Sequence, residues 1–152
     1  MLEVRDSHLG LAVFATKEIA PGERILRESG IKVPHRTRHT IQSGYDCHVD
    51  YSGPIRNINH SCDPNCGLII RKNDTSLELY ALRPIAAGEE LRTDYCTFEN
   101  EIHFMTGPCL CGSDICRGRI TGFKDLSPER ITHYGEYIAE FLQPVTAISQ
   151  AG

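Results

Sequence analysis

No run in this chain approaches the ~20 consecutive apolar residues that a membrane helix needs, and this excludes a helical membrane span. A secretory leader is not expected either, because Met1-Leu2-Glu3-Val4-Arg5-Asp6 sets acids where a basic segment would precede an apolar one. An excess of positive charge is also missing. At a net charge of −4 and a pI near 6.0, no overall field draws the chain to phosphate backbones, so direct nucleic-acid binding is not expected. There are no internal repeats, and helical periodicity is scarce before residue 127. With 152 residues, one core is the default. The expectation is a single soluble domain of short strands, located inside the cell, in the cytoplasm or the nucleus.

Against that background one stretch is unusual. Residues 56–67, Arg-Asn-Ile-Asn-His-Ser-Cys-Asp-Pro-Asn-Cys-Gly, crowd carboxamides, a histidine, two thiols and a proline into a segment that suits neither ladder nor helix. It reads as a loop held in place for chemistry. Seven cysteines is an odd number, and Cys109, Cys111 and Cys116 fall in C-x-C-x4-C form, which inside a cell argues for a metal rather than disulfides. Zinc prefers four thiolate or imidazole ligands in a tetrahedron. Two cysteines one residue apart can supply an edge of it from an irregular loop, and Gly112 eases the turn. The fourth ligand must come from elsewhere, and Cys62 and Cys66 are both available.

Around these landmarks the pattern is strand and turn. His8 to Ala15 and Ile19 to Leu26 are expected to form a hairpin with a Pro21-Gly22 corner. Leu68-Ile69-Ile70 and the alternating Leu77 to Leu82 flank a polar turn and predict a second hairpin. Gly88 permits a corner before a strand from Leu91 to Tyr95. Residues 32–39 carry Lys32, His35, Arg36, Arg38 and His39, either a solvated face or a surface that touches substrate. Ser127-Pro128-Glu129 starts a helix, and Ile131, Tyr134, Ile138 and Leu142 give it an apolar stripe.

Asn59-His60-Ser61-Cys62-Asp63-Pro64-Asn65, then Gly88-Glu89-Glu90-Leu91 with Asp94-Tyr95, then Cys109-Leu110-Cys111 and Cys116-Arg117-Gly118, resemble the motifs of SET-domain protein-lysine methyltransferases, in order, over residues 5–123. The resemblance implies a mainly β fold of small sheets around a threaded loop, with a C-terminal helix. It divides the chain into a SET domain (1–104), a post-SET zinc segment (105–123), a helix (124–143) and a frayed tail (144–152). It implies S-adenosylmethionine (SAM) as cofactor, held around Leu11, Ala12 and Val13 and by Asn59, His60 and Tyr95. Tyr95 matches the catalytic tyrosine, and zinc would be held by Cys62, Cys109, Cys111 and Cys116. The substrate would be a protein bearing a lysine, with histones the familiar target. Two departures stand out: Ala12 replaces the second glycine of a G-x-G stretch, and the Tyr-x-Gly-Glu motif is missing. They leave a catalytically silent binding module, or transfer to a small-molecule amine, as alternatives.

Overall fold

The computed structural model describes residues 1–143; the tail expected at 144–152 lies outside the described residues. Among the described residues, ten short strands form four small sheets. β1 (Leu2–Ser7) pairs antiparallel with β2 (Gly10–Ala15). β3 (Arg24–Ser29), β8 (Cys66–Ile70) and β9 (Ser76–Ala81) form a sheet with β9 in the middle. In a third sheet β6 (Cys47–Asp50) lies between β4 (Ile31–Val33) and β5 (Ile41–Gly44). The last pair is parallel: β7 (Asn59–His60) beside β10 (Arg92–Thr93).

The hairpin expected between His8–Ala15 and Ile19–Leu26 does not form. β2 turns back on the upstream β1 instead, through a 7–10 turn in which the Ser7 hydroxyl donates to the Gly10 carbonyl and Gly10 takes φ 99°. The Pro21-Gly22 corner sends β3 away to the distant β9, in register Arg27↔Glu78. The second expected hairpin is present, with Leu68 opposite Leu79 and Ile70 opposite Leu77. Alternation along β9 buries Leu77, Leu79 and Ala81 and leaves Glu78 and Tyr80 partly open, as a half-buried strand requires. These residues join Val13, Ile19, Ile85 and Leu91 in one core.

The C-terminal helix is shorter than its apolar stripe suggests. α1 spans Pro128–Tyr134, with the Ser127 hydroxyl accepting from the Arg130 N–H and Pro128 at the first helical position. Gly135, at φ 54°, ends it, and the chain continues in single 3-10 turns. The stripe is buried all the same: Tyr134, Ile138 and Leu142 all enter the core. The Ala139 N–H donates to the Thr97 carbonyl at 2.8 Å. Tyr137 lies so close to β8 that a Cβ on Gly67 would come within 2.8 Å of its ring. The helical segment therefore packs on the domain, directly behind the 59–66 loop.

Candidate functional site

The β7–β10 pair positions the site, because it sets Asn59 beside Arg92 and His60 beside Thr93 and so brings two distant motifs together. Asn65 fixes the loop between them. Its carbonyl oxygen accepts from the Arg92 N–H at 2.9 Å, and its amide donates to Glu89 and to the Glu90 carbonyl, each at 2.8 Å. Asn59 Nδ2 donates to the Leu11 carbonyl and to Glu90, both at 3.2 Å, tying β7 to β2.

His60 is buried, and its Nδ1 accepts the Tyr95 N–H at 3.1 Å. Burial pushes this imidazole down to about 4; Asp94 pulls it upward, while Arg117 and Arg92 lower it further. The ring is therefore neutral with its proton on Nε2, which lies 3.4 Å from Cys62 Sγ and donates to it. The 3.7 Å approach of Nδ1 to Asp94 is accordingly not an ion pair. Tyr95 stands next to this imidazole, with ring centroids 5.3 Å apart, and its hydroxyl donates to the Ile58 carbonyl at 2.6 Å. Burial pushes its phenol well above the ordinary tyrosine range, so the hydroxyl keeps its proton.

Tyr95 lies on the wall of two cavities at once. On one side is an open cleft of ≈ 570 Å³, within the ~300–1,000 Å³ typical of small-molecule sites, walled by Leu11, Asn59, His60 and Cys109 among others. Exposed apolar side chains collect there: Leu9, Leu11, Phe104 and Leu110 all line it. On the other side is a narrow cavity of ≈ 70 Å³ with largely apolar walls, including Ile41, Ile58 and Phe98. Arg38, His39, Tyr95, Phe104 and Met105 belong to both. Of the residues that sequence reasoning placed at the cofactor, Leu11, Asn59, His60 and Tyr95 reach the cleft. Ala12 and Val13 are fully buried and absent from its wall, so the methyl that replaces a glycine hydrogen at Ala12 is enclosed by protein.

Cys62, Cys109, Cys111 and Cys116 come together with all four Sγ atoms within 4.8 Å of one another. A tetrahedron with ~2.3 Å metal–sulfur bonds has edges of about 3.8 Å, and Cys62 and Cys109 are already 4.0 Å apart. Cys66 belongs to β8 and is not part of the cluster. N–H groups point at the sulfurs, from Arg117 to Cys62 at 3.3 Å and from Gly118 to Cys116 at 3.4 Å. Such donors favour thiolate, although burial pushes the thiols of Cys62 and Cys109 up, the latter to about 11. At Cys111 burial pushes the thiol up, but hydrogen bonds from the Cys62 and Ser113 N–H groups outweigh it and bring it to about 6. The donor set fits a closed, structural metal site with no ligand position left for water.

One element of the site was not foreseen in the sequence. The Asp94 side chain is wholly buried; Oδ1 accepts from Arg117 Nη2 at 2.8 Å, and Oδ2 accepts from the Tyr134 hydroxyl at 2.7 Å. Arg130 donates both to that hydroxyl at 2.8 Å and to the Cys62 carbonyl at 3.3 Å. Asp94 thus ties the tyrosine beside it to the cysteine segment and to α1. The only signal for this in the sequence was its place next to Tyr95.

Glu99, on the wall of the narrow cavity, accepts from the Gln42 N–H at 3.0 Å and faces Arg36 Nε at 3.7 Å. Burial pushes its carboxyl from 4.5 up to about 8, against the lowering effect of both partners. A carboxyl that keeps its proton in the folded chain to a higher pH than in the unfolded one makes stability fall as pH rises between those values. Thermal unfolding is accordingly expected to shift to lower temperature between about pH 4.5 and about pH 8. Glu99→Gln, which keeps the acceptor for Gln42, should flatten that profile.

A cleft of small-molecule size and a narrow second cavity thus share a wall that includes Tyr95. The chain belongs to the SET-domain family, whose model matches residues 10–96. It is similar to "Histone-lysine N-methyltransferase, H3 lysine-4 specific" of Yarrowia lipolytica, 36% identical over 126 residues, which are 70% of this chain and 11% of that protein. The protein of that description from Neurospora crassa is 51% identical over 69 residues, 43% of this chain and 5% of the relative. "Histone-lysine N-methyltransferase trithorax" of Drosophila virilis is 33% identical over 132 residues, 73% of this chain and 3% of the relative. The chain thus spans 11% or less of the length of these relatives. A crystal structure of a candidate histone methyltransferase from Plasmodium falciparum superposes with a TM-score of 0.52 at 21% identity, covering 62% of this chain and 96% of that one, a likeness of fold. Among the described residues no helix is long and apolar enough to cross a membrane.

Proposed function

We propose that the chain is a SAM-dependent protein-lysine methyltransferase in which the open cleft holds the cofactor and the narrow cavity admits the acceptor lysine. The observation that carries this reading is the position of Tyr95 on the wall shared by the two cavities, where a donor and an acceptor in separate sites would come within reach of each other. When bound, the cofactor supplies a methyl on a sulfonium, so that a C–N bond forms as the C–S bond breaks and the electron pair stays on sulfur.

The protein's part is positioning and electrostatics. Asn59 has its amide committed to Leu11 and Glu90, which leaves its carbonyl oxygen to accept from the cofactor's ammonium. The apolar walls of Ile41, Ile58 and Phe98 keep water out and favour the neutral amine over an ammonium whose free pKa is ~10.4. The hydroxyl of Tyr95, its proton given to Ile58, turns its lone pairs to the amine and the moving methyl. Cys62, Cys109, Cys111 and Cys116 hold a structural zinc ion, and residues 105–123 act as the post-SET segment that walls the cleft through Cys109 and Cys111. Reduced thiols of this kind suit a nuclear or cytoplasmic setting.

The names of the relatives make histones the first substrate to try. Incubating the zinc-loaded chain with methyl-labelled SAM and either histones or a mixed protein extract should place label on lysine side chains. Cofactor binding without label on any protein would favour the silent module, and label only on small amines would favour the remaining alternative.

A further inference from the structure

The run of cationic residues at 32–39 takes no part in the transfer chemistry proposed for Tyr95. Residues 32–39, Lys-Val-Pro-His-Arg-Thr-Arg-His, contain no acid. Arg56 Nη1 lies 2.9 Å from Asp50, whereas Arg36 Nε lies 3.7 Å from Glu99, a carboxyl that burial keeps protonated up to about pH 8, so Arg36 retains its charge. Arg38 has no ion-pair partner among the described residues and is exposed, yet it walls both the cofactor cleft and the narrow cavity. His39 shares that position.

From the narrow cavity the surface continues into a third depression, walled by His35, Thr37, His39, Asp50 and Arg56 and joined to the cavity through Thr37, His39 and Thr40. The only acid on that wall is Asp50, already paired with Arg56. Glu101 is hydrogen-bonded at 3.1 Å to His103, which walls the narrow cavity. An extended peptide whose lysine entered the cavity would therefore run past the Arg38 guanidinium and two imidazoles, with Asp50 paired to Arg56, Glu101 hydrogen-bonded to His103 and the Glu99 carboxyl protonated up to about pH 8.

We infer that the acceptor is a lysine flanked by aspartate or glutamate, selected by Arg38 with His35 and His39 along the groove that leads from the acceptor cavity. This rests on the reading of the narrow cavity as the lysine site and narrows its substrate class. A peptide rich in arginine and lysine would set like charges against Arg38, and electrostatic complementarity discriminates partners chiefly by penalising such pairings.

The test uses the whole zinc-loaded chain and two synthetic peptides with a single central lysine, one flanked by Glu and Asp and one by Arg and additional uncharged residues. Binding is read by fluorescence anisotropy with S-adenosylhomocysteine present, and methyl transfer by kcat/KM. The acidic-flanked peptide should be favoured about tenfold at low salt, as expected for a few exposed charge pairs, and the preference should shrink toward parity near 1 M salt. Arg38→Glu, at an exposed position, should reverse the order of the two peptides. Equal binding of both peptides, preference for the basic one, or an unchanged order in Arg38→Glu would overturn the inference. A weakened cofactor affinity with peptide order unchanged would assign Arg38 to the cofactor and overturn it as well. The anisotropy preference without methylation of either peptide would support the groove and count against the methyltransferase reading, so the two can fail separately.

Discussion

Tyr95→Phe is expected to lower methyl transfer by roughly 10²- to 10³-fold, about 3 to 4 kcal/mol, with cofactor affinity nearly unchanged. The substitution keeps the ring, whose centroid lies 5.3 Å from that of His60 and 5.7 Å from that of Phe98, so both cavity walls persist. It removes the hydroxyl whose lone pairs are proposed to face the amine. It also strips the Ile58 carbonyl of its 2.6 Å donor, and an unsatisfied buried acceptor costs about 1–3 kcal/mol of stability. A modest fall in melting temperature should therefore accompany a collapse in kcat. Steady-state kinetics on a substrate that the wild type methylates, together with calorimetric cofactor binding, separate the two effects. Turnover at the wild-type rate would reduce Tyr95 to a packing residue.

Losing the metal should be the other large effect. Cys111→Ser removes one of four thiolates from a site in which structural zinc contributes apparent binding free energies on the order of 10–16 kcal/mol to folding. The cysteine segment holds Cys109 and Cys111 on the wall of the open cleft and Arg117 on Asp94, so the damage should spread beyond the metal. Metal content, cofactor affinity and activity are expected to fall together, by tenfold or more for the last two. Cys66→Ser is the matched control: its thiol lies in β8 outside the cluster, so that variant should retain one zinc ion per chain. Elemental analysis of both purified proteins decides the assignment. Stoichiometric zinc in Cys111→Ser, or its loss in Cys66→Ser, would reverse it.

What could be read in the sequence was whatever its local chemistry carries. The C-x-C-x4-C spacing announces by itself a cysteine cluster fit for a metal, and the polar crowding at 56–67 announces an irregular loop. The β8–β9 hairpin is visible because its alternation and its turn lie within 16 residues of one another. Choosing Cys62 over Cys66 needed the family resemblance, since both thiols sit in the same short segment and only the fold turns Cys66 into a strand. Pairing between distant segments left no such trace. Nothing in the Pro21-Gly22 corner says that β3 will bypass β2 for β9. The 3.6-residue stripe of the C-terminal segment continues past Gly135 although the α-helix does not, because 3-10 turns can bury Ile138 and Leu142 from the same side of the chain. Asp94 looked like half of a dipeptide motif. Its importance lies in Arg117, Arg130 and Tyr134, three residues from later segments that converge around one buried carboxylate. The narrow cavity was likewise out of reach, since its wall is assembled from segments as distant as residues 36–41 and 98–105.

The most direct test of the account is a crystal structure of the zinc-loaded chain with S-adenosylhomocysteine. The amino-acid portion of that ligand should lie against Asn59 and the Leu11 carbonyl, with its sulfur facing the Tyr95 hydroxyl and the mouth of the narrow cavity. A ligand bound elsewhere on the surface, or one whose sulfur is turned away from Tyr95, would contradict the claim that this tyrosine is the meeting point of donor and acceptor.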